Sequence, residues 1–219
     1  MDLRRQLALT AKKAFAPLIY RHRPIGLSAG KLYLYLDAIY RSNQLPGDVV
    51  EMGCNVCGTA ALGRQMLERL GSPRGYLCVD TFAGFVPEQH DADVKRGNSG
   101  ERSNAFAAND IELARKVLTY HRASDVRLLQ ADVCKLTPDQ LPARVSVCLL
   151  DVDLYEPTMA GLELVYPRMD PGGFILIDDC DPASPTWRAG VAVLDFGKKH
   201  GIESRLEFGM RVIEIPARA

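Results

Sequence analysis

Five short apolar runs, each closing on an acid, recur along the chain with helix-length segments between them. They are VVEM with Glu51, YLCVD with Asp80, VRLLQAD with Asp132, VSVCLLD with Asp151, and FILIDD with Asp178 and Asp179. Strands alternating with helices predict a parallel sheet covered on both faces. The ending, ESRLEFGMRVIEIP, predicts two further strands joined tightly at Phe208-Gly209-Met210, which puts an antiparallel hairpin beside the parallel strands. The expected architecture is therefore α/β: a Rossmann-like, mostly parallel seven-stranded sheet with a C-terminal antiparallel hairpin and helices on both faces.

Between the strands, residues 27–43 predict a helix with Leu32, Leu34, Leu36, Ile39 and Tyr40 on its apolar side. Residues 59–70 predict another, stopped by Gly71 and Pro73. Asp110 is placed to cap a helix running through His121. Pro157 suits the first turn of a helix reaching about Arg168, Asp170-Pro-Gly-Gly173 predicts a turn, and Trp187 to His200 predicts a helix. Residues 82–104, rich in polar residues and glycine, predict a long loop or lid, a length without structure that is usually functional.

At 219 residues the chain suits one well-buried α/β domain. A helical segment over 1–45, an interface or substrate cap, is expected to precede a main domain over 46–219. Lys and Arg balance Asp and Glu at 27 each, which gives no support to nucleic acid as the main partner. The charge that exists is uneven: Arg4, Arg5, Lys12, Lys13, Arg21 and Arg23 face a single acid, Asp2, in the first helical segment. That segment is expected to pack on the domain or on a second subunit, with a membrane-surface or targeting helix as the alternative. No apolar run approaches the ~20 residues of a transmembrane span. Six cysteines, several inside apolar runs, look like free thiols rather than a disulfide framework. A reducing, cytoplasmic setting follows as the expectation.

In an open parallel sheet, ligands bind beyond the carboxyl ends of the strands, so the acids named above should meet at one edge. Buried carboxylates are costly unless paired, hydrogen-bonded or metal-bound, so packing alone does not explain such a set. G-x-G-x-x-G is absent after the first strand, where Gly53-x-x-x-x-Gly58 stands instead. Asp80 can accept from two ribose hydroxyls, and Asp132 from an adenine amino group. Glu51 would repel a pyrophosphate but attract the sulfonium and ammonium groups of S-adenosylmethionine. Asp151 and the Asp178-Asp179 pair close neighbouring strands, and their hard oxygens suit Mg²⁺. The competing expectation is that Asp153 and Asp179 cap helices.

The first turn also holds Cys54-Asn55-Val56-Cys57. A structural zinc site needs four ligands and there is no second C-x-x-C. Thioredoxin-type chemistry places such a pair at a strand-to-helix turn as well, but leaves Glu51 and the downstream acids without a role. Incidental thiols in a ligand-binding turn are the favoured expectation.

The stretches LPGDVVEMGCNVCGTA, VDTFAGF and LLDVDLYEPTMAGLELVYPRMDPGGFILIDD resemble the macrocin O-methyltransferase (TylF-type) family, from about residue 30 to about residue 200. The third stretch is the most specific; the first two are shared with many class I methyltransferases. The resemblance implies a Rossmann-like methyltransferase fold, S-adenosylmethionine as donor, Mg²⁺, and a small-molecule substrate methylated on a sugar hydroxyl of a natural product. It also implies a homo-oligomer whose N-terminal helices help form the interface. By position, Glu51, Gly53 and Thr59 would line the methionine end, Asp80 the ribose and Asp132 the adenine. Cys54, Gly58, Thr81, Phe82, Val133 and Asp151 complete the expected cofactor-binding set, and Asp151, Asp178 and Asp179 would hold the metal. Cys57 stands where the family often has glycine, and 83–104 has no clear counterpart.

The implied chemistry is an in-line transfer, with the acceptor hydroxyl made acidic beside the ion and its proton taken by a base. Two residues are candidates for the base: His90 in the lid, or an aspartate of the cluster, Asp151. Two rivals are a nicotinamide-dependent oxidoreductase on the same fold and a non-catalytic member that binds a partner.

Overall fold

The computed structural model describes residues 3–100, 104, 106–183 and 188–217. Its centre is β1 (Asp48–Met52), paired in parallel with β2 (Tyr76–Asp80) on one side and with β4 (Val145–Leu150) on the other. Every residue of β4 is buried, as are Val49 to Met52 of β1. Near-continuous burial is what helices on both faces require of a parallel strand. β3 (Arg127–Gln130) forms one edge beside β2, and its exposed Arg127 and Gln130 keep that edge polar. β5 (Met169–Ile177) continues the sheet beyond β4, and β7 (Met210–Glu214) pairs antiparallel with both β5 and β6 (Arg205–Glu207). The order is β3-β2-β1-β4-β5-β7-β6, seven strands as expected. The hairpin turn is Phe208-Gly209 with φ of 50° and 82°, the doubly left-handed form that matches strand twist.

Helices divide the core in two. On one face α3 (Ala29–Arg41), α4 (Gly58–Arg69) and α6 (Ile111–Tyr120) cover Val49, Cys78, Val147 and Leu149. On the other, α7 (Tyr155–Val165) and α8 (Arg188–His200) cover Val50, Leu150, Ile175 and Ile177. Asp110 caps α6 as expected, its carboxylate accepting from the Leu113 N–H at 2.8 Å. Arg74 ties α3 to the sheet: its buried guanidinium donates to the carbonyls of Ile39 and Ser42 and to the hydroxyl of Ser146.

Four expectations shift. α3 turns Tyr35 and Ala38 inward with Leu34 and Ile39, and leaves Tyr40 exposed. The Asp170–Gly173 segment is the start of β5 rather than a turn; the irregularity sits in the β4–β5 register, and Gly172 and Gly173 still pair with Ile215. α7 stops at Val165, followed by a 3₁₀ turn over Tyr166–Arg168. The segment after β2 carries a helix, α5 (Pro87–Lys95), begun by a proline in its first turn. Buried Asp93 holds it in place by accepting from the Tyr155 N–H at 3.1 Å and from Asn98 at 2.9 Å. The expected start of α8 at Trp187 lies outside the described residues.

The first segment forms α1 (Leu3–Ala14) and the single turn α2 (Ala16–Ile19). α1 buries none of its residues and is tied to α6 through Lys13 and Glu112 at 2.7 Å. α3, by contrast, contributes to the main core, while Ala16 of α2 and Tyr20 pack in a smaller cluster with Val56 and with Leu113 and Val117 of α6. Among the described residues, no helix is long and apolar enough to cross a membrane.

Candidate active site

A cavity of about 520 Å³ opens at the carboxyl ends of β1, β2, β4 and β5, where the strand order reverses between β1 and β4. Glu51, Gly53, Cys54, Thr59, Asp80, Thr81, Asp132, Val133, Asp151, Asp178 and Asp179, all expected, line it. Gly58 and Phe82 do not. Gly58 is packed under the Pro24 carbonyl, which a Cβ would meet at 2.2 Å. Phe82 is buried and acts through its backbone, donating to Asp80 Oδ1 at 2.7 Å.

The floor is the turn between β1 and α4. Gly53, Asn55 and Cys57 all have left-handed backbones, with φ of 87°, 47° and 63°. Three such residues in five are a strained loop of the kind held at functional sites. At Gly53 a side chain is impossible, because a Cβ would lie 1.9 Å from the Asp151 carbonyl oxygen. The Asn55 N–H reaches across to Asp80 Oδ2 at 2.8 Å, fixing the second strand's acid to the first strand's turn.

Each acid at the carboxyl end of β1, β2 and β3 is held with capacity to spare. Glu51 is buried and accepts from the Tyr76 hydroxyl at 2.6 Å, with Tyr35 hydrogen-bonded behind it. Burial pushes the Glu51 carboxyl well above its ordinary range, and the Tyr76 bond opposes this. Burial likewise raises Asp80 to about 6, against the pull of the Phe82 and Asn55 N–H groups. Asp132 uses Oδ1 for Gln89 at 2.9 Å and for the Cys134 N–H at 3.0 Å. Its buried Oδ2 has no hydrogen bond and only an ion pair with the Lys135 ammonium at 3.6 Å, which leaves it able to accept one.

The other half of the cavity differs from expectation. Oxygens of Asp151, Asp153 and Asp179 lie within 4.8 Å of one another. Asp153 and Asp179 take left-handed backbones, φ 61° and 52°, and turn their carboxylates into the cavity instead of capping helices. Asp178 is not in this triad. It pairs with the Lys31 ammonium, and its Oδ1 accepts the Asp179 N–H at 2.7 Å. Burial raises Asp151, and the charges of Asp178 and Asp179 raise it further; burial and a shared hydrogen bond with Asp179 raise Asp153. Lys31 is lowered by burial, but Asp178, Asp179 and Asp151 outweigh this and keep it protonated. Three hard oxygen donors crowded together beside a single lysine are a donor set that fits a small divalent cation.

His90 is not at the cavity. It is only 6% exposed, on α5, stacked at 5.7 Å behind Phe85, which does line the cavity together with its neighbour Gln89. The helical backbone of α5, absent from the loop expected here, turns Gln89 inward in its place. Lys31 and Asp153 were missed. Lys31 lies three and four residues before Leu34 and Tyr35, so it shares the buried face of α3; a lysine on an apolar stripe was the available signal.

The thiols of the turn form their own group. Cys54 and Cys57 Sγ atoms are 3.5 Å apart, and Cys78 of β2, beside Glu51 in register, joins them. Hydrogen bonds from Cys54 and Cys78 lower Cys57 to about 5 against the effect of burial, while burial pushes Cys54 and Cys78 up.

The family described as Macrocin-O-methyltransferase (TylF) matches residues 32–209. An 8-demethyl-8-(2,3-dimethoxy-alpha-L-rhamnosyl)-tetracenomycin-C 4'-O-methyltransferase of Streptomyces olivaceus is 31% identical over 162 residues, covering 72% of this chain and 62% of that protein. A mycinamicin III 3''-O-methyltransferase of Micromonospora griseorubida is 30% identical over 176 residues, covering 74% of this chain and 65% of the relative. The chain thus spans less than two thirds of the length of these relatives. Among solved structures, the O-methyltransferase NovP superposes with a TM-score of 0.71 at 25% identity, covering 84% of this chain and 78% of that one.

Proposed function

Because the chain belongs to the macrocin O-methyltransferase family, we propose that it transfers the methyl group of S-adenosylmethionine to a sugar hydroxyl of a glycosylated small molecule. The observation that carries this reading is the division of one cavity into two acidic halves, Glu51, Asp80 and Asp132 on one side and Asp151, Asp153 and Asp179 on the other. The first half suits a cationic nucleoside. Asp80 accepts from ribose hydroxyls, the Oδ2 of Asp132 accepts from the adenine amino group, and Glu51 faces the positive methionine end. The Gly53 turn lets the backbone approach without a side chain.

In the second half, Asp151, Asp153 and Asp179 would hold Mg²⁺, which when bound supplies positive charge that makes a neighbouring hydroxyl more acidic. Asp151 sits between the two halves and takes the acceptor's proton. The acceptor oxygen forms its bond to the methyl carbon as the carbon–sulfur bond breaks, and the electron pair stays on sulfur. Lys31 holds Asp178 and balances part of the cluster's negative charge. Phe85 and Phe106, packed edge to face at 5.8 Å, give the outer wall an apolar surface for a sugar face or aglycone.

The names of the two relatives place methyl groups on a rhamnosyl-tetracenomycin and on mycinamicin III, which supports a glycosylated acceptor here. The apolar residues left exposed on α1 and α2, Leu3, Leu7, Leu18 and Ile19, support a homo-oligomer, and six free thiols suit the cytoplasm. Titration calorimetry with S-adenosylhomocysteine and with NAD, followed by a donor-loaded mass-shift screen of glycosylated compounds, tests the reading. Binding of S-adenosylhomocysteine alone and a single methyl gain that is lost in Asp151→Ala are expected. Binding of NAD alone, or methyl transfer undiminished in Asp151→Ala, would overturn the donor or the base assignment respectively.

A further inference from the structure

The C-x-x-C of the first turn has no part in methyl transfer, yet it does not stand alone. Cys78, one strand away, brings a third sulfur to it, and the three Sγ atoms lie within 4.8 Å of one another, with 3.5 Å between Cys54 and Cys57. All three side chains are buried. An ion held at the ~2.3 Å of a metal–thiolate bond needs a sulfur triangle about 4 Å on edge, which is the size found. A disulfide, by contrast, needs sulfurs only ~2 Å apart.

We propose that Cys54, Cys57 and Cys78 form a three-sulfur site for a soft, thiophilic ion, entered from the donor cavity, whose occupation opposes donor binding.

Three arguments converge. Sulfur is the soft donor that selects thiophilic ions over Mg²⁺ or Ca²⁺, so this site and the carboxylate triad would not compete for the same metal. Three thiols without a fourth ligand suit three-coordinate ions and fall short of a closed tetrahedral zinc site. Access is also defined: Cys54 lines the donor cavity while Cys57 and Cys78 lie behind it. The turn that carries Cys54 and Cys57 is also the floor of the donor site. An ion that sets its sulfurs about 4 Å apart must spread Cys54 and Cys57 from 3.5 Å and so move that floor, and by linkage the donor must weaken the ion by the same factor. This coupling half rests on the donor reading above; the ion site does not.

Trivalent arsenic is a suitable probe, because its exchange is balanced and involves no redox change: As(OH)₃ and three thiols give As(SR)₃ and three waters. Full-length protein carrying Cys134→Ser, which removes the exposed thiol, is titrated with arsenite and followed by native mass spectrometry and calorimetry. One arsenic per chain is expected, seen as a mass gain of one arsenic less the three thiol hydrogens that leave in the waters. In Cys78→Ser, and in Cys78→Ala as a second variant, affinity should fall by more than the roughly 10–100-fold that loss of an outer-shell partner costs. Saturating S-adenosylhomocysteine should weaken arsenite at least about fivefold, and arsenite should weaken S-adenosylhomocysteine equally. Absence of an adduct, or an adduct of undiminished affinity in folded Cys78 variants, would overturn the site. A three-thiol adduct that leaves S-adenosylhomocysteine affinity unchanged would overturn the coupling. Failure of S-adenosylhomocysteine to bind the unmodified protein would count against the donor reading alone, with the arsenite result still deciding the site.

Discussion

Mild acid should strengthen the ligand-free protein, and Asp80 is the residue through which this can be measured. Burial lifts its carboxyl to about 6 from an ordinary 3.8, against two backbone N–H donors. The folded protein therefore holds a proton that the unfolded chain releases. The resulting stability is fully present below 3.8 and is lost as the pH rises through about 6. A gap of about two pH units amounts to ~3 kcal/mol in full, and roughly half of that falls between pH 5 and 7.5. Asp80→Asn keeps the shape and removes the titration, so the difference between the two proteins isolates this group from the other raised acids. Urea unfolding of both, with a chelator and without donor, should show the wild type losing about 1–2 kcal/mol relative to the variant from pH 5 to 7.5. S-adenosylhomocysteine should reverse the trend, since only the ionised carboxylate accepts two ribose hydroxyls; its affinity should climb through pH 6 in the wild type and stay level in the variant. A difference that is flat with pH, or that grows as the pH rises, would refute the reasoning, because Asp80 would then not be buried as a carboxylic acid.

Gly53→Ala places a Cβ 1.9 Å from the Asp151 carbonyl in a backbone with φ of 87°; calorimetry should show S-adenosylhomocysteine affinity reduced on the order of 100-fold or more, with unfolding free energy lowered by a few kcal/mol. Lys31→Met leaves Asp178 without its cation and should cost about 2–3 kcal/mol at pH 7, less than a fully buried pair because the lysine is partly exposed. Added Mg²⁺ should raise the melting temperature of that variant more than that of the wild type, and equal responses would mean that lysine and ion do not share the cluster. Arg74→Met removes the buried donors to the Ile39 and Ser42 carbonyls and the Ser146 hydroxyl and should destabilise the protein by about 2–3 kcal/mol in urea without changing donor affinity.

The sheet was legible because its strands obey a simple rule: apolar runs buried on both faces, each released into a loop at an acid. Glu51, Asp80, Asp132 and Asp151 could be placed at one edge by that rule alone. What could not be seen were contacts made across the sequence. Asp179 was placed with Asp151 from its strand end, but Asp153 was left out because such a residue often caps a helix; its left-handed backbone is what turns it toward Asp151. Lys31 was hidden in a helix whose polar and apolar faces were judged from leucines, although its ammonium depends on Asp178 for its place. α5 was obscured by a polar composition, since its stability comes from Pro87 at its start and from Asp93 bonding to α7, and not from an apolar stripe. Cys78 looked like a core residue until its register partner, Glu51, set it beside the C-x-x-C.

The strap from Pro24 to Lys31 lies ahead of the residues that match the family, yet it supplies one wall of the cavity and presses its Pro24 carbonyl on Gly58. A lineage could therefore rewrite acceptor choice by editing this leading stretch, while the acids that grip the donor stay untouched. On the proposed reading, specificity and chemistry would then evolve on separate pieces of one polypeptide, and chimaeras exchanged just before Lys31, which keep its pairing with Asp178, are the natural way to separate them.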